Sequence, residues 1–480
     1  MSPATPDAPR PSAPLTLLAN RAPIRQTDGG WEPGLGGLAT ALLPVVEGRG
    51  GAWVSMRDPG DDAPLEQPFP ADGPRFTVRR VPLDEETFDH FYRGMANGVL
   101  WPLAHYALEH VEPDRDYLDA YRETNRRFAE AALDAQTDPA GAFWIHDYHL
   151  MLAPELIRRE RPGAAVGFFW HIPWPAVDVL RVLPSARELV RGMLGSGLIG
   201  FHTEGYARHF REAARDLLGA EVRGDCVYWD GREVRVEAHP IGIDVEKFEG
   251  FAATDEVKKA AYKLHDAIRG EHLILGIDRL DYTKGLLLRL EAFERFLQRH
   301  PEYRRRVTLY QIATPSRTGI EAYQQLKREV DEAVGRINGA FARGGWLPIR
   351  YRYRAYTQEE LAVRYAAADV ALVTPLRDGM NLVAQEAVAA SDRAVLVLSD
   401  LTGAAHFLDG AVLVNPYDQD ALADALLQAL EMDEPERKDR LQRMQAAVRA
   451  MDVHRWAERF LAALDRTAPA RTGSPALVQS

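Results

Sequence analysis

Short apolar runs rich in β-branched and aromatic residues alternate along this sequence with longer stretches whose apolar residues recur every three or four positions. The short runs have the composition of strands, and the longer stretches have the period of amphipathic helices. Such alternation is typical of an α/β protein, in which helices wind around a parallel sheet. The predicted strands are Leu15–Asn20, Ala52–Met56, Arg75–Val81, Ala142–His146, Ala165–His171, Leu198–His202, Val234–Ile241, His272–Ile277, Val307–Ile312, Ile349–Tyr353, Val370–Thr374, Ala394–Ser399 and Ala411–Asn415.

The pattern occurs twice, which predicts two doubly wound, Rossmann-like domains facing across a cleft, where ligands of such folds bind. A chain of 480 residues, 46% of them apolar, is long enough to form two cores. We place the domains at 15–242 and 243–465, and expect disordered tails at 1–14 and 466–480. The sequence does not decide whether the last helix crosses back to the first domain. The predicted helices include Leu286–Gln298, Thr318–Val334, Gln358–Ala367, Gln419–Glu431, Pro435–Ala450 and His454–Leu464.

The charge balance excludes some classes of partner. With 58 basic and 70 acidic residues the formal net charge is -12, which argues against nucleic acid or an anionic membrane as the main partner. The single cysteine, Cys226, rules out a disulfide framework. No apolar run approaches the ~18 residues of a membrane span, and the first fourteen residues lack the apolar core of a signal peptide. We therefore expect a soluble, cytoplasmic protein.

Two loops that follow predicted strands carry groups suited to phosphate. In Asp278–Gly285, Arg279 and Lys284 precede a helix, whose positive end favours a diphosphate, although a solvated loop with two surface cations fits equally well. In Arg377–Glu386, backbone amides at a helix start suit phosphate oxygens and Glu386 suits ribose hydroxyls. Two such loops at neighbouring strand ends favour a nucleotide-sugar site.

A third group of polar residues lies in Trp144–Leu150 and in Gly167–Pro175, at the ends of two adjacent strands. His146, Asp147 and His149 are potential metal ligands, but their spacing is loose, so we expect no metal and assign the cluster to sugar hydroxyls. Near the N-terminus, Arg21 suits an anion, and the glycines of 34–38 permit close backbone approach to a ligand.

Taken together, these segments resemble the trehalose-6-phosphate synthase family of retaining glycosyltransferases over nearly the whole chain. The resemblance implies the GT-B fold, transfer of glucose from a nucleotide-glucose such as UDP-glucose to glucose-6-phosphate, and a homodimer or homotetramer. It implies catalytic roles for Asp147, His171, Arg279 and Lys284. It also implies donor contacts from Gly36, Gly37, Arg279, Lys284, Tyr356, Asp378, Gly379, Met380, Asn381, Leu382, Val383 and Glu386, and acceptor contacts from Arg21, Tyr92, Trp101, Asp147 and Arg317.

The family's pattern has a tryptophan where this chain has Met56, which bears on acceptor preference. Cations at the leaving diphosphate suggest chemistry that needs neither a metal nor a cofactor. Three alternatives remain: a glucosylglycerol-phosphate synthase using glycerol-3-phosphate, a pseudo-glycosyltransferase that couples cyclitols, and a non-catalytic sugar-phosphate sensor. Arg317 argues against the first, the intact Asp278–Gly285 and Asp378–Asn381 motifs against the second, and Arg279, Lys284 and Glu386 against the third. The sequence does not identify the base of the donor nucleotide.

Overall fold

The structure, a computed structural model, describes residues 14–467 except 28–29, 34–36, 71–72, 74 and 269–270. The predicted tails therefore lie almost wholly outside the described residues. The described residues divide into two compact units: unit 1 comprises those within 14–239 and 457–467, and unit 2 comprises those within 240–456. The last helix thus ends in unit 1, where the ring of Phe460 stacks on that of Trp144 with centroids 4.7 Å apart.

The described residues form two main sheets with helices around them. The strands are β1 Leu15–Leu18, β2 Ile24–Thr27, β3 Gly30–Pro33, β4 Gly51–Arg57, β5 Glu66–Phe69, β6 Phe76–Pro82, β7 Ala142–His146, β8 Ala165–Phe169, β9 Leu198–Phe201, β10 Glu221–Arg223, β11 Cys226–Trp229, β12 Arg232–Ala238, β13 His272–Arg279, β14 Val307–Thr314, β15 Ile349–Tyr353, β16 Val370–Val373, β17 Val395–Ser399 and β18 Val412–Val414.

The helices are α1 Gly37–Arg49, α2 Glu85–Phe88, α3 Trp101–Ala104, α4 Arg115–Ala135, α5 Ala153–Glu160, α6 Val177–Leu180, α7 Ala186–Met193, α8 Glu204–Leu218, α9 Val245–Ala253, α10 Asp255–Ala267, α11 Leu286–Arg299, α12 Glu321–Phe341, α13 Gln358–Ala367, α14 Leu382–Ala390, α15 Gln419–Glu431, α16 Glu434–Ala450 and α17 Val453–Asp465. A π-helical segment, Asp89–Leu100, joins α2 to α3.

Unit 2 contains an entirely parallel sheet with strand order β15-β14-β13-β16-β17-β18. Its central strands are apolar and buried on both faces, as expected for a sheet covered by helices on each side. The strand order reverses between β13 and β16. In doubly wound folds a crevice opens outside the carboxyl ends of the two strands at such a point, so the loops after β13 and β16 are placed to bind a ligand.

Unit 1 contains a larger mixed sheet with order β10-β11-β12-β9-β8-β7-β1-β4-β6-β5. The central strands β12, β9, β8, β7, β1, β4 and β6 pair in parallel. Antiparallel pairing is confined to β5 at one end of the sheet and to β10 and β11 at the other. Here the order reverses between β1 and β7. The residues that follow these two strands, Arg21 and Asp147, are therefore brought to one edge of the sheet.

Each predicted strand is present, and the α/β class of the protein is confirmed. Several predicted strands ran too far at their ends, as at Asn20, His171 and Ile241, because polar or apolar residues after a strand resemble its continuation. The antiparallel strands β5, β10 and β11 were missed because each has only three or four residues. The predicted helix Thr318–Val334 instead starts at Glu321 and runs to Phe341, and Ile320 before it is extended, with φ of -101° and ψ of 128°.

Candidate functional site

The loop after β13 is held in shape by Asp281. Its carboxylate accepts hydrogen bonds from the amide and hydroxyl of Thr283, at 3.0 and 2.9 Å, and thereby caps the single helical turn Tyr282–Lys284. Gly285 ends this turn at φ +65°, and a Cβ atom there would lie 2.7 Å from the carbonyl oxygen of Thr374. The glycine therefore permits both the left-handed turn and the close approach of the strand β16 loop.

The two predicted donor cations differ in their surroundings. Arg279 is exposed at the end of β13, whereas Lys284 is largely buried. The ammonium of Lys284 forms an ion pair with the carboxylate of Asp378, from the loop after β16. The amide of Leu376 also donates to the carbonyl of Thr283 at 2.8 Å, so the two loops are joined by both side chain and backbone. A favourable buried pair of this kind holds the lysine in one orientation.

Beneath these loops lies Arg289 of α11, which is fully buried. Its guanidinium is 2.7 Å from the carboxylate of Asp278, and it donates to the hydroxyl of Thr374 at 3.0 Å and to the carbonyl of Lys284 at 3.3 Å. Burial raises the pKa of Asp278, and the charges of Arg289 and Lys284 oppose that rise. One planar cation thus contacts residues of both loops, which fixes their separation.

The turn before α14 places backbone amides at a helix start, as predicted. Asn381 adopts a positive φ of 74°, and its side-chain oxygen accepts from the amide of Ala384 at 3.0 Å while its amide group donates to Asp378 at 3.0 Å. Gly379 and Met380 are buried in this turn, and Leu382 and Val383 begin the helix, half-buried. A strained backbone conformation held by several hydrogen bonds is common at ligand-binding loops.

Glu386 lies one turn into α14, where its carboxylate accepts a 2.7 Å hydrogen bond from the hydroxyl of Tyr365 on α13. Burial raises the pKa of Glu386 to about 7, and the Tyr365 hydrogen bond opposes that rise. Burial, together with the charge of Glu386, raises the pKa of Tyr365 well above its ordinary value, so the tyrosine stays a donor. Glu386 is thus oriented by one partner and retains a second oxygen for hydroxyl groups.

Two further predicted residues of unit 2 occupy distinct surroundings. The ring of Tyr356 is contacted by the guanidinium groups of Arg354 and Arg364, at 4.1 and 3.9 Å from its centroid. Arg317 is buried and pairs with the carboxylate of Asp281 at 3.1 Å. Burial alone would raise the pKa of Asp281, but Arg317, Arg279 and Lys284 hold it at about 2. Asp281 therefore stays ionised and couples Arg317 to the loop after β13.

In unit 1, Arg21 follows β1 and is half-exposed. Its Nη1 donates to both carboxylate oxygens of Asp58, at 2.6 and 2.5 Å, and its guanidinium lies 5.0 Å above the ring of Tyr92. The Arg21 carbonyl accepts a 3.0 Å hydrogen bond from the indole of Trp53. Met56, three residues along β4, is buried, and its amide donates to the carbonyl of Asn20 at 3.2 Å.

The predicted acceptor residues Tyr92 and Trp101 belong to an aromatic group around the π-helical segment. Tyr92 stacks on His149 with centroids 6.0 Å apart, and Trp101 packs on His105 at 4.2 Å and on Tyr148 at 5.9 Å. Trp101 is only 4% exposed, so most of its contacts are with the protein itself. Such aromatic surfaces suit the apolar faces of a sugar ring, with Tyr92 the more accessible of the two.

Asp147 is strained, with a positive φ of 72° and ψ of 171° directly after β7. This region of conformational space strongly favours glycine, so the surrounding structure must hold the aspartate there. Its amide donates to the carbonyl of Phe169 at 2.8 Å, and its carboxylate accepts from the amide of His171 at 3.3 Å. Asp147 is partly exposed, so its carboxylate can also contact a ligand.

His171 lies in a cluster with two other histidines, His146 and His202. Its Nε2 lies 3.0 Å from Nδ1 of His146, and its carbonyl oxygen is 3.0 Å from Nε2 of His202. Burial lowers the pKa of His146 to about 3, and burial with the neighbouring His146 and His202 lowers that of His171 well below its usual value. Both rings are therefore uncharged at neutral pH and suit hydrogen bonding to hydroxyl groups better than anion binding.

The structure also bears on the glycine loop and on metal and membrane sites. Gly36 lies outside the described residues, and Gly37 is the first residue of α1. Among the described residues, no three histidine, cysteine, aspartate or glutamate side chains are grouped so as to hold a metal ion. Within the same part of the chain, none of the helices combines the length and apolar character that crossing a bilayer requires.

Sequence reasoning missed four residues that shape these sites: Asp58, Asp281, Arg289 and Tyr365. Asp281 lies inside the motif between the two predicted cations, and its two-residue spacing to Thr283 signals a helix cap. Arg289 is an arginine on the apolar side of an amphipathic helix, which marks a buried ion pair. Asp58 and Tyr365 carry no such signal, because they are distant in sequence from the residues that they contact.

Comparison with known proteins gives consistent results over almost the whole chain. The family model described as Glycosyltransferase family 20 matches residues 13–466. A bifunctional trehalose-6-phosphate synthase/phosphatase from Thermoproteus tenax is 39% identical over 474 residues, covering 95% of this chain and 64% of that relative. This chain thus spans less than two thirds of that relative's length.

Solved structures match over nearly their full length. A structure from E. coli bound with UDP-2-fluoro glucose is 33% identical, with a TM-score of 0.88 over 94% of this chain and 99% of that one. A UDP-forming α,α-trehalose-phosphate synthase from Burkholderia xenovorans, in complex with glucose-6-phosphate, is 36% identical, with a TM-score of 0.85 over 94% of this chain and 99% of that one. These matches confirm the GT-B arrangement of two Rossmann-like domains.

Proposed function

Because this chain belongs to glycosyltransferase family 20, we propose that it transfers glucose from UDP-glucose to glucose-6-phosphate, giving α,α-trehalose-6-phosphate and UDP. The observation that carries the proposal is the pair of loops at the point where the unit 2 sheet reverses its strand order. One loop presents the cations Arg279 and Lys284, and the other presents the amides before α14. A cationic, amide-rich crevice beside a carboxylate suits a nucleoside diphosphate.

The donor end of the reaction is assigned to unit 2. As the bond between the anomeric carbon and the diphosphate breaks, negative charge grows on the leaving UDP. Arg279 and Lys284 stabilise that charge more in the transition state than in the ground state, which lowers the barrier. Glu386 accepts hydrogen bonds from the ribose, Tyr356 lies near the base, and Gly36 and Gly37 approach the bound sugar nucleotide.

The acceptor end is assigned mainly to unit 1. Arg21 with Tyr92, Trp101 and Asp147 binds glucose-6-phosphate, and Arg317 of unit 2 contributes to its phosphate. His171 hydrogen-bonds the transferred glucose as a neutral ring, which its lowered pKa supports. His146 and His171 are both uncharged, so they add no positive charge near the anomeric carbon, where positive charge develops.

The configuration of the transferred glucose is retained in this proposal. The donor is an α-linked nucleotide sugar and the product is α,α-linked, so the acceptor hydroxyl attacks on the face from which the diphosphate leaves. The leaving phosphate oxygen takes the proton of that hydroxyl, so no protein nucleophile is required. Arg279 and Lys284 hold the phosphate in position for this transfer.

The proposal includes neither a metal nor a cofactor, since two cations already stabilise the leaving group. We propose that the enzyme is cytoplasmic, as expected from the sequence. Assembly into a homodimer or homotetramer stays a prediction, which analytical ultracentrifugation would test.

The function is tested by measuring UDP release from UDP-glucose by the purified protein, with either glucose-6-phosphate or glycerol-3-phosphate as acceptor. We expect release only with glucose-6-phosphate, and a non-reducing disaccharide phosphate as the product. The test variant is Lys284→Ala, in which the loss of one leaving-group cation should lower kcat about 10²–10³-fold. Its partner control, Lys259→Ala, changes an exposed lysine of α10 and should have no effect.

The other outcomes identify the alternatives. Release only with glycerol-3-phosphate would replace the acceptor by that of a glucosylglycerol-phosphate synthase. Release with neither acceptor, repeated with ADP-glucose and GDP-glucose, would contradict the enzymatic proposal and favour a sugar-phosphate sensor.

A further inference from the structure

A cleft of unit 1, with a volume of about 710 Å³, lies apart from the residues assigned to the candidate site. It is formed by the start of α4, the turn before α7, the end of α8 and the strand β11. Its lining includes Arg115, Arg122, Arg187, Glu188, Arg191 and Trp229, and we refer to it as the arginine cleft. Its volume falls within the range of small-molecule sites, which is roughly 300–1,000 Å³.

The charges of the arginine cleft do not balance. Glu188 is occupied by Arg122, which donates to its two carboxylate oxygens at 2.8 and 2.6 Å. The remaining three arginines, Arg115, Arg187 and Arg191, are exposed and form no ion pair with a described residue. An excess of three positive charges in a chain of net charge -12 is a local concentration of charge that attracts small anions.

Two further features favour a phosphate group with a ring attached. The helix α7 begins at this cleft, and Ser185 at its N-cap position makes no capping hydrogen bond, so the positive helix end is not satisfied by that side chain. Trp229, at the end of β11, is half-buried and lines the same cleft. Tryptophan beside arginine suits a ligand with a flat or sugar ring next to its phosphate.

We propose that the arginine cleft binds a phosphorylated small molecule, whose phosphate contacts Arg115, Arg187 and Arg191 and whose ring packs on Trp229. Nucleotides and sugar phosphates share this chemistry. The site is independent of the glycosyl-transfer residues, so it holds whether or not the proposed reaction is correct, and its ligand would act as an effector rather than as a substrate.

The anion site is tested by titrating the full chain with inorganic pyrophosphate in a calorimeter at low ionic strength. The test variant combines Arg115→Ala, Arg187→Ala and Arg191→Ala. The matched control combines Arg208→Ala, Arg215→Ala and Arg223→Ala, which removes the same charge from exposed positions elsewhere in unit 1. We expect the test variant to lose one equivalent of bound pyrophosphate, or to bind it at least tenfold more weakly, and the control to bind as the native chain does.

Equal binding by native chain and test variant would overturn the proposal. Equal weakening in both variants would overturn it as well, because a general charge effect would then explain the binding. Circular dichroism should show the same Tm for the three proteins, and transferase activity without added anion should be unchanged, since these arginines lie outside the catalytic machinery.

The ring contact is tested with ADP and with glucose-1-phosphate on the native chain and on Trp229→Leu. In Trp229→Leu, we expect the molecule of the preferred ligand that binds in the arginine cleft to bind several-fold more weakly. Pyrophosphate binding should be unchanged. Preference for ADP identifies a nucleotide site, and preference for glucose-1-phosphate identifies a sugar-phosphate site. If Trp229→Leu weakens the binding of neither ADP nor glucose-1-phosphate, the proposed ring contact is wrong.

Discussion

The two sheets reverse their strand order in the same way, yet the chemistry placed at the two reversal points differs. In unit 2 the loops are joined by buried charges: Lys284 with Asp378, Arg289 with Asp278, and Arg317 with Asp281. In unit 1 the corresponding loops carry neutral histidines, a strained aspartate and one half-exposed ion pair, Arg21 with Asp58. In the proposed function, the same topology therefore serves a fixed polyanion site in one unit and a hydroxyl-binding site in the other.

The difference follows from what each ligand demands. A diphosphate needs cations that cannot move away, and a buried ion pair holds them because separating its charges is costly. A sugar needs donors and acceptors of fixed direction with little net charge, which neutral imidazoles and a rigid aspartate supply. Unit 2 thus derives its rigidity from electrostatics, and unit 1 derives it from packing and backbone geometry.

The largest expected effect concerns Arg289. Replacing it in Arg289→Met leaves Asp278 buried without its main counter-charge, so the free energy of unfolding should fall by about 3–5 kcal/mol in urea titrations. The matched control is Arg295→Met, a half-exposed arginine of the same helix, which should change stability by less than about 0.5 kcal/mol. If both variants unfold alike, buried charge does not organise unit 2.

The double variant Arg289→Met with Asp278→Asn sharpens this test. Removing both charges should restore part of the lost stability but not the activity, because the carbonyl of Lys284 and the hydroxyl of Thr374 still lack their common donor. Full recovery of kcat would show that Arg289 does not position the loops after β13 and β16.

Arg21 and Arg317 provide a direct comparison of an exposed and a buried arginine. Arg317→Ala should lower kcat/KM for glucose-6-phosphate tenfold to a hundredfold, as expected for the loss of one charge-assisted hydrogen bond of ~1.5–3 kcal/mol. It should also destabilise the fold, since Asp281 is fully buried. Arg21→Ala should lower the same kcat/KM with little change in stability, because Asp58 is exposed to solvent.

The acceptor assignment is checked by repeating the kinetics with unphosphorylated glucose. Both variants should lose less activity with glucose than with glucose-6-phosphate. An unchanged kcat/KM for glucose-6-phosphate in either variant would remove that arginine from the phosphate site.

Asp147 tests the claim that unit 1 is ordered by backbone geometry. Because its φ and ψ favour glycine, Asp147→Gly should raise the free energy of unfolding by about 1 kcal/mol while abolishing most activity. Asp147→Asn keeps a Cβ atom in the same conformation and should lose activity without gaining stability. A destabilised Asp147→Gly would show that the carboxylate contacts outweigh the strain.

The smallest effects concern pH, where the two units should respond in opposite directions. Glu386 has its pKa raised from 4.5 to about 7, so the folded state binds an extra proton between these values and stability falls as pH rises through this range. His146 has its pKa lowered from 6.5 to about 3, so the unfolded state binds the extra proton and stability falls as pH drops below 6.5.

Urea unfolding between pH 4.5 and 8 measures both slopes, each at most ~1.4 kcal/mol per pH unit. The two slopes overlap between pH 4.5 and 6.5 and offset each other in the native chain. Glu386→Gln should therefore leave a stability that falls as pH drops, and His146→Asn should leave a stability that falls as pH rises. Tyr365→Phe should move the Glu386 transition to higher pH, because the hydrogen bond that opposes the raised pKa is lost. Identical slopes in native chain and variants would contradict the assignments.

Much of the site was predictable from the sequence because its residues are local to the motif that carries them. Arg279, Lys284 and Gly285 lie in one loop, and Asp378 to Glu386 lie in the next, each following a recognisable strand. The strands themselves were predictable because their buried residues form continuous apolar runs. The partners Tyr365 of Glu386 and Asp58 of Arg21 were not, since they are 21 and 37 residues away in the chain.

The sequence by itself determined the alternation of strands and helices, hence two doubly wound sheets, and it determined which loops carry cations and amides. These properties depend on hydrophobic period and on short motifs, both of which are local. The tertiary structure decided which charges are buried together, that Arg317 pairs with Asp281, that Asp147 is strained and that three arginines meet in a cleft. Those outcomes depend on contacts between distant segments, which burial and desolvation select only when the whole sheet has formed.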